Sequence, residues 1–272
     1  MTRSSRRRAA PTLAMALVAI LGGCRPSPKA AADGQRTALT DTAIAEEGYA
    51  APPQVLRADT DGGGGIILKG AAGPRATIQL QSPEGESRST TARASGAWTM
   101  RLAAVARPRM FALSELVDHR VVHAEGALIV LPRPAPTALL ARAGFGSLIL
   151  QHAGAAPSLI TIDYDPGGFA AFSGTGQPGA TVRLSLDGAP AGLAQVDSMG
   201  RYSVLAANHR LSFGPHQALI ETGAGEIRRE FQLIQPGPLT SAYQASAEAD
   251  GWHVEWAATG GGVQTTLVLA PQ

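Results

Sequence analysis

Phe172-Ser-Gly-Thr-Gly-Gln-Pro-Gly-Ala-Thr-Val-Arg-Leu184 has a counterpart 104 positions earlier, Leu68-Lys-Gly-Ala-Ala-Gly-Pro-Arg-Ala-Thr-Ile-Gln-Leu80. The correspondence runs without a gap from about Val55/Leu159 to Leu102/Ala206. It keeps Asp59/Asp163, Asp61/Asp165, Gly70/Gly174, Pro74/Pro178, Thr77/Thr181, Leu80/Leu184 and Gly96/Gly200. A repeat of this length marks one structural unit used twice. Within each copy, short runs alternate apolar and polar residues, as Val182, Leu184 and Leu186 do against Thr181, Arg183 and Ser185. That two-residue period belongs to half-buried strands. Asp187-Gly188 supplies a tight turn that tolerates positive φ. Strands spaced about ten residues apart with turn signals between them indicate an all-β sandwich.

Composition agrees. The 272 residues include 32 Gly and 19 Pro, 44% are apolar, and the formal net charge is +2. Of the 23 Lys and Arg, four (Arg3, Arg6, Arg7, Arg8) lie in residues 1–23, which hold no acid; the remaining 19 face 21 Asp and Glu. Without that segment the chain is near neutral, and it has no basic cluster for nucleic acid.

The order of segments follows. Residues 1–23 read as an export signal, with a basic start and the apolar run Leu13–Leu21, too short to span a bilayer. The run ends in Leu21-Gly-Gly-Cys24, which resembles the bacterial lipobox. The resemblance implies cleavage before Cys24, lipidation of its thiol and a membrane anchor. Arg25, where an Asp would retain the protein at the inner membrane, favours an outer-membrane site facing the periplasm. Cys24 is the only cysteine, so the folded parts must hold without disulfides. Residues 24–52, rich in Pro, Ala and polar residues, read as a flexible tether. The first module covers 53–131 and the second 157–235. Between them, 132–156 combine a Pro-rich linker with a short hairpin at 139–150. Residues 236–272 form a C-terminal β-hairpin extension, expected to pair with 139–150 in one small sheet.

Phe172–Gly188, followed by Val-Asp-Ser-Met-Gly-Arg-Tyr-Ser-Val at 196–204, resembles the bacterial immunoglobulin-like domain. There a Ser-Gly-x-x-x-Pro-Gly-Ala-x-Val stretch precedes an Asp-x-x-Gly-x-aromatic turn. The first copy departs from this pattern at Arg75 and Arg93 and carries about seven extra residues near Ala104–Leu116. The resemblance implies two tandem immunoglobulin-like β-sandwiches and leaves function open.

Candidate chemistry is sparse. Asp59-Thr-Asp61 and Asp163-Tyr-Asp165 put two carboxylates on one side of an extended segment, as a calcium site would begin, but the further ligands of a calcium loop are missing. Solvated turns are the expectation there. His119, His123 and Glu125 would share a strand face, but ligands at i and i+4 stand about 13 Å apart. No metal or cofactor is expected. Trp252, Val254 and Trp256 share a face, with the two indoles as candidate ligand-stacking residues and core packing as the alternative. No nucleophile elbow, phosphate loop or zinc motif occurs. The expectation is a non-enzymatic cell-envelope lipoprotein acting as a structural or protein-interaction module. The alternatives are a peptidoglycan- or polysaccharide-binding module and a calcium-stiffened adhesin segment.

Overall fold

Two glycine–aromatic pairs explain why the copies fold alike. Gly70 lies across from Trp98 and Gly174 across from Tyr202 on neighbouring antiparallel strands. A Cβ on Gly70 would fall 2.3 Å from the Trp98 ring, and one on Gly174 would fall 2.7 Å from the Tyr202 hydroxyl. Both aromatics are buried. A flat ring laid over a glycine seals the space that the missing side chain leaves in the strand.

The computed structural model describes residues 51–271 except 133–135, 152, 153, 155, 208, 259 and 260. Cys24 and the tether up to Ala50 therefore lie outside the described residues. Every regular element described is a strand. In the first module β1 (Gln54–Thr60), β2 (Ile66–Ala71) and β5 (Ala97–Leu102) form one sheet in the order β1-β2-β5. They face β3 (Thr77–Gln81), β4 (Ser87–Thr91) and β6 (Arg109–Val117), with β7 (Arg120–His123) and β8 (Ala127–Val130) pairing with the two halves of β6. The second module repeats this. β15 (Arg201–Leu205), β12 (Ala170–Thr175) and β11 (Ser158–Tyr164) face β14 (Ala189–Gln195), β13 (Thr181–Leu186), β16 (Gly214–Thr222) and β17 (Gly225–Leu233). Each is an immunoglobulin-like sandwich around its own core, centred on Leu68, Ile78 and Phe111 in one and on Phe172, Val182 and Ile220 in the other. Asp187 and Gly188, at the β13–β14 turn, take φ of 50° and 84°.

Two sequence expectations need correction. The stretch near Ala104–Leu116, which the sequence marks only as extra residues in the first copy, includes most of β6, the central strand of its sheet, hydrogen-bonded to β3, β7 and β8. Its inward positions run Phe111, Leu113, Glu115, and the carboxylate breaks the apolar pattern. Glu115 is only 1% exposed and accepts the Gly73 N–H at 2.8 Å. One carboxylate oxygen is held by that turn amide while Oε1 stays buried without a partner among the described residues, and an acid at an inward position hides the strand's signature.

The second correction concerns the two extensions. β9 (Ala138–Ala141) and β10 (Leu148–Ile149) form a hairpin, but β9 pairs with β8 and so widens the first module's sheet. β18 (Tyr243–Glu248), β19 (Gly251–Ala257) and β20 (Val263–Leu269) continue the second module's sheet through β20 against β11. The extensions therefore share no sheet; they meet face to face. Met110, Ile129, Leu139 and Ile149 from the first module pack on Tyr243, Val254, Trp256 and Val268 from the second. This forms a third apolar core, a seam between the sandwiches. Each extension caps an edge strand that would otherwise stay open, and its outer face is then buried by the other, at about 1.5–3 kcal/mol per large side chain. The continuous run Ala127-Leu-Ile-Val-Leu131 reflects this. Leu128 and Val130 enter the module core while Ile129 and Leu131 enter the seam, as strands covered on both faces require. Residues 47–272 make one compact unit.

Leu139→Ala, in the centre of the seam, should cost about 2–5 kcal/mol. Denaturant unfolding followed by tryptophan fluorescence and by circular dichroism should still give one shared transition, moved to lower denaturant. Two separated transitions in the wild-type chain would show that the seam does not couple the modules.

Candidate functional site

The repeated aspartates have diverged in role. Asp59 Oδ2 meets Arg57 Nη2 at 2.8 Å and Lys69 Nζ at 2.9 Å on the surface, and these cations hold its carboxyl below the usual range. Asp61 Oδ1 accepts the amides of Gly63 and Gly65 at 2.9 and 2.7 Å, and Asp165 Oδ1 accepts that of Phe169 at 3.0 Å. These are turn-closing carboxylates. Asp163, the counterpart of Asp59, is fully buried. Its Oδ2 accepts the Ser147 N–H at 2.7 Å; its Oδ1 accepts the hydroxyls of Ser147 at 2.8 Å and Thr266 at 2.6 Å.

Ser147 belongs to the β9–β10 loop, so Asp163 ties the first module's extension to the second module. The same loop is held by Gln264, which accepts the Gly144 N–H at 3.0 Å and donates to the Arg142 carbonyl at 3.3 Å. Gly146 lies against β12 and β15 so closely that a Cβ would sit 2.0 Å from Ser203 Oγ. A side chain there would force the Ser203 and Ser173 hydroxyls to turn away and press on the Ala171 methyl.

His119 is in the β6–β7 turn with φ of 63°, not on a strand, and His123 and Glu125 are exposed. Among the described residues no three His, Cys, Asp or Glu side chains gather as metal ligands would.

The two candidate stacking indoles are separated by burial. Trp256 is 4% exposed, packs in the seam, and donates its indole N–H to Thr266 Oγ1 at 3.2 Å. It has no free face, which corrects its candidacy as a stacking residue: the extension that carries it is covered by the first module. Trp252 is half-buried and lines a cleft of about 460 Å³ that both modules build. Leu131 and Ile149 come from one side, Ile160, Ile227 and Val268 from the other. Arg229, Gln151 and Glu248 are among its polar lining groups. Sequence reading missed Arg229 and Gln151. Arg228-Arg229 looks like an ordinary stretch of strand, and no local signal tells which arginine is buried.

No family model matches the sequence, and no curated protein matches it. Solved structures with some likeness include a biofilm-associated protein BSP domain, with a TM-score of 0.25 and 11% identity over 69% of this chain and 30% of that one. A central fibronectin-III array of RIM-binding protein gives 0.26 and 10% identity over 76% and 79%. A structure described as giving insight into host cell surface retention of a 1.5-MDa bacterial ice-binding adhesin gives 0.21 and 14% over 68% and 65%. The chain thus spans under a third of the first of these.

Burial pushes the Asp163 carboxyl up to about 6, against the pull of its hydrogen bonds from Thr266 and Ser147 and of the nearby Arg142 charge. The folded chain therefore binds this proton more tightly than the unfolded chain, whose value is near 3.8. Stability from this group is fullest below about pH 4 and is lost as pH rises through 6, on the order of 3 kcal/mol. Urea midpoints at pH 4.5 and 7.5 should show a loss on raising pH that Asp163→Asn lacks; equal pH dependence in both chains would mean the carboxyl titrates normally.

Proposed function

We propose that the chain is a non-enzymatic structural and interaction module of the cell envelope, held to a membrane by lipid on Cys24, with residues 25–52 as the tether. The observation that carries this reading is the open edge of β4. This strand ends its sheet, is largely exposed, contains no proline and pairs with β3 without a bulge. Its outward backbone groups are a template for a strand from a partner protein. The corresponding edge β14 is blunted by Pro190 and by a register shift opposite Leu184/Ser185, two devices that discourage pairing. The seam supports the same reading, because a surface held on two fused sandwiches keeps a fixed presentation.

A second reading, a module for peptidoglycan or another polysaccharide, rests on Trp252, whose half-buried indole lines the cleft and offers a flat surface to a sugar ring.

Cys24→Ser should abolish labelling of the protein by radioactive palmitate and leave residues 1–23 uncleaved, seen as a larger band on gels; unchanged labelling and processing would remove the lipid anchor. A photo-crosslinking residue at Ser89 in intact cells should trap one discrete envelope protein; absence of any adduct there would remove β4 as the partner surface. Retention on purified cell wall that falls at least tenfold in Trp252→Ala would favour the polysaccharide reading, and retention unchanged by that substitution would dismiss it.

A further inference from the structure

The cleft between the modules holds a cation with no ion-pair partner among the described residues. Arg229 is 9% exposed. Its Nη2 donates to the Ala270 carbonyl oxygen, a neutral acceptor, and among the described residues no carboxylate forms an ion pair with it. A guanidinium carries five N–H donors in a planar fork and stays charged. Burying such a group without a counter-charge costs several kcal/mol. Gln151, elsewhere in the lining, keeps both its side-chain nitrogen and its oxygen sealed away with no hydrogen-bond partner among the described residues. Arg229 has no atom among such sealed orphans, so the guanidinium is the group that can meet what enters the cleft.

The rest of the lining says what enters. The walls are mostly aliphatic beside the Trp252 indole, with Ile160 and Ile227 on one side and Val268 and Leu269 beside them, and with hydroxyl-bearing Thr137 and Ser158 also in the lining. Glu248 also lines the cleft and is exposed, so it opposes any anion, and a doubly charged phosphate more than a singly charged carboxylate. The volume lies in the range typical of small-molecule sites, about 300–1,000 Å³.

We infer that this cleft binds a small amphiphilic carboxylate, its single anionic head held by the Arg229 fork and its apolar body lying between Ile160, Ile227, Val268 and Trp252. The inference does not depend on the partner-binding role of β4.

The test uses the full chain carrying Cys24→Ser in detergent-free buffer, titrated with sodium decanoate below its micelle concentration and, separately, with neutral 1-decanol. Binding is read by calorimetry and by tryptophan fluorescence. Decanoate should saturate at one molecule per chain and bind more tightly than decanol. Arg229→Gln should weaken decanoate at least tenfold, move decanol less than twofold, and leave the melting temperature equal or higher, since it removes an unpaired buried charge. Ile160→Trp, which fills the cleft from its apolar side, should abolish both and keeps the test decisive if Arg229→Gln does not fold. Absence of saturable decanoate binding, equal decanoate affinity in wild type and Arg229→Gln, or binding of a neutral hexasaccharide or a Leu-terminated peptide in place of decanoate would each overturn the assignment.

Discussion

A single buried carboxylate holds the two halves of this protein together. Asp163 takes both hydrogen bonds that Ser147 can donate to it and a third from Thr266, and Thr266 in turn receives the Trp256 indole N–H. Burying a carboxylate costs several kcal/mol, and charge-assisted hydrogen bonds of about 1.5–3 kcal/mol each offset that cost. The balance is close, so the pin contributes specificity more than net stability. An apolar seam alone would tolerate sliding of one sheet over the other. The three hydrogen bonds admit one register for the β9–β10 loop on β11 and β20. Gly146, with no room for a side chain against Ser173 and Ser203, and Gln264, clasping the loop at Gly144 and Arg142, enforce the same register.

This pin explains the asymmetry between two modules built from one repeat. Asp59 and Asp163 occupy equivalent positions, yet one pairs with Arg57 and Lys69 at the surface and the other is sealed in the seam. The flanking residues match the choice, Arg57 and Lys69 having Thr161 and Ser173 as counterparts, but they do not set the burial itself. It arises because the second module's β11 is flanked by an added strand, β20, and roofed by the first module's loop, while β1 carries no such extension. β1 is met instead by the Leu150 carbonyl, which accepts the Ala58 N–H at 2.7 Å. The extensions also account for the cleft. Where the two widened sheets part, beyond the packed contact of Ile149 and Val268, an apolar hollow remains with Arg229 in its lining.

The repeated units were legible from sequence because their determinants are local. Alternation along β13 and the Asp187-Gly188 turn each act within one hairpin. β6 was missed because Glu115 sits at an inward position, and only the Gly73 amide across the module makes that tolerable. The role of the extensions was misjudged because hairpins in sequence say that strands exist and not which edge they join. The run Ala127–Leu131 was the one available signal, since five apolar residues in succession ask for cover on both faces. Of the candidate stacking pair, spacing placed Trp252 and Trp256 on one face, and only the packing of the first module onto that face decided which indole stays reachable.

The sequence by itself therefore determined the all-β class, the twofold repeat and the strand-and-turn grammar inside each sandwich, because two-residue periodicity and turn chemistry are properties of neighbouring residues. Tertiary structure alone decided that the sandwiches are fused, that Asp163 is buried while Asp59 is not, and that Arg229 lines a cleft with no ion-pair partner among the described residues. Those outcomes depend on which sheet edges the extensions find and on which faces they then cover, through contacts such as Asp163–Ser147 and Asp163–Thr266 that no local pattern encodes.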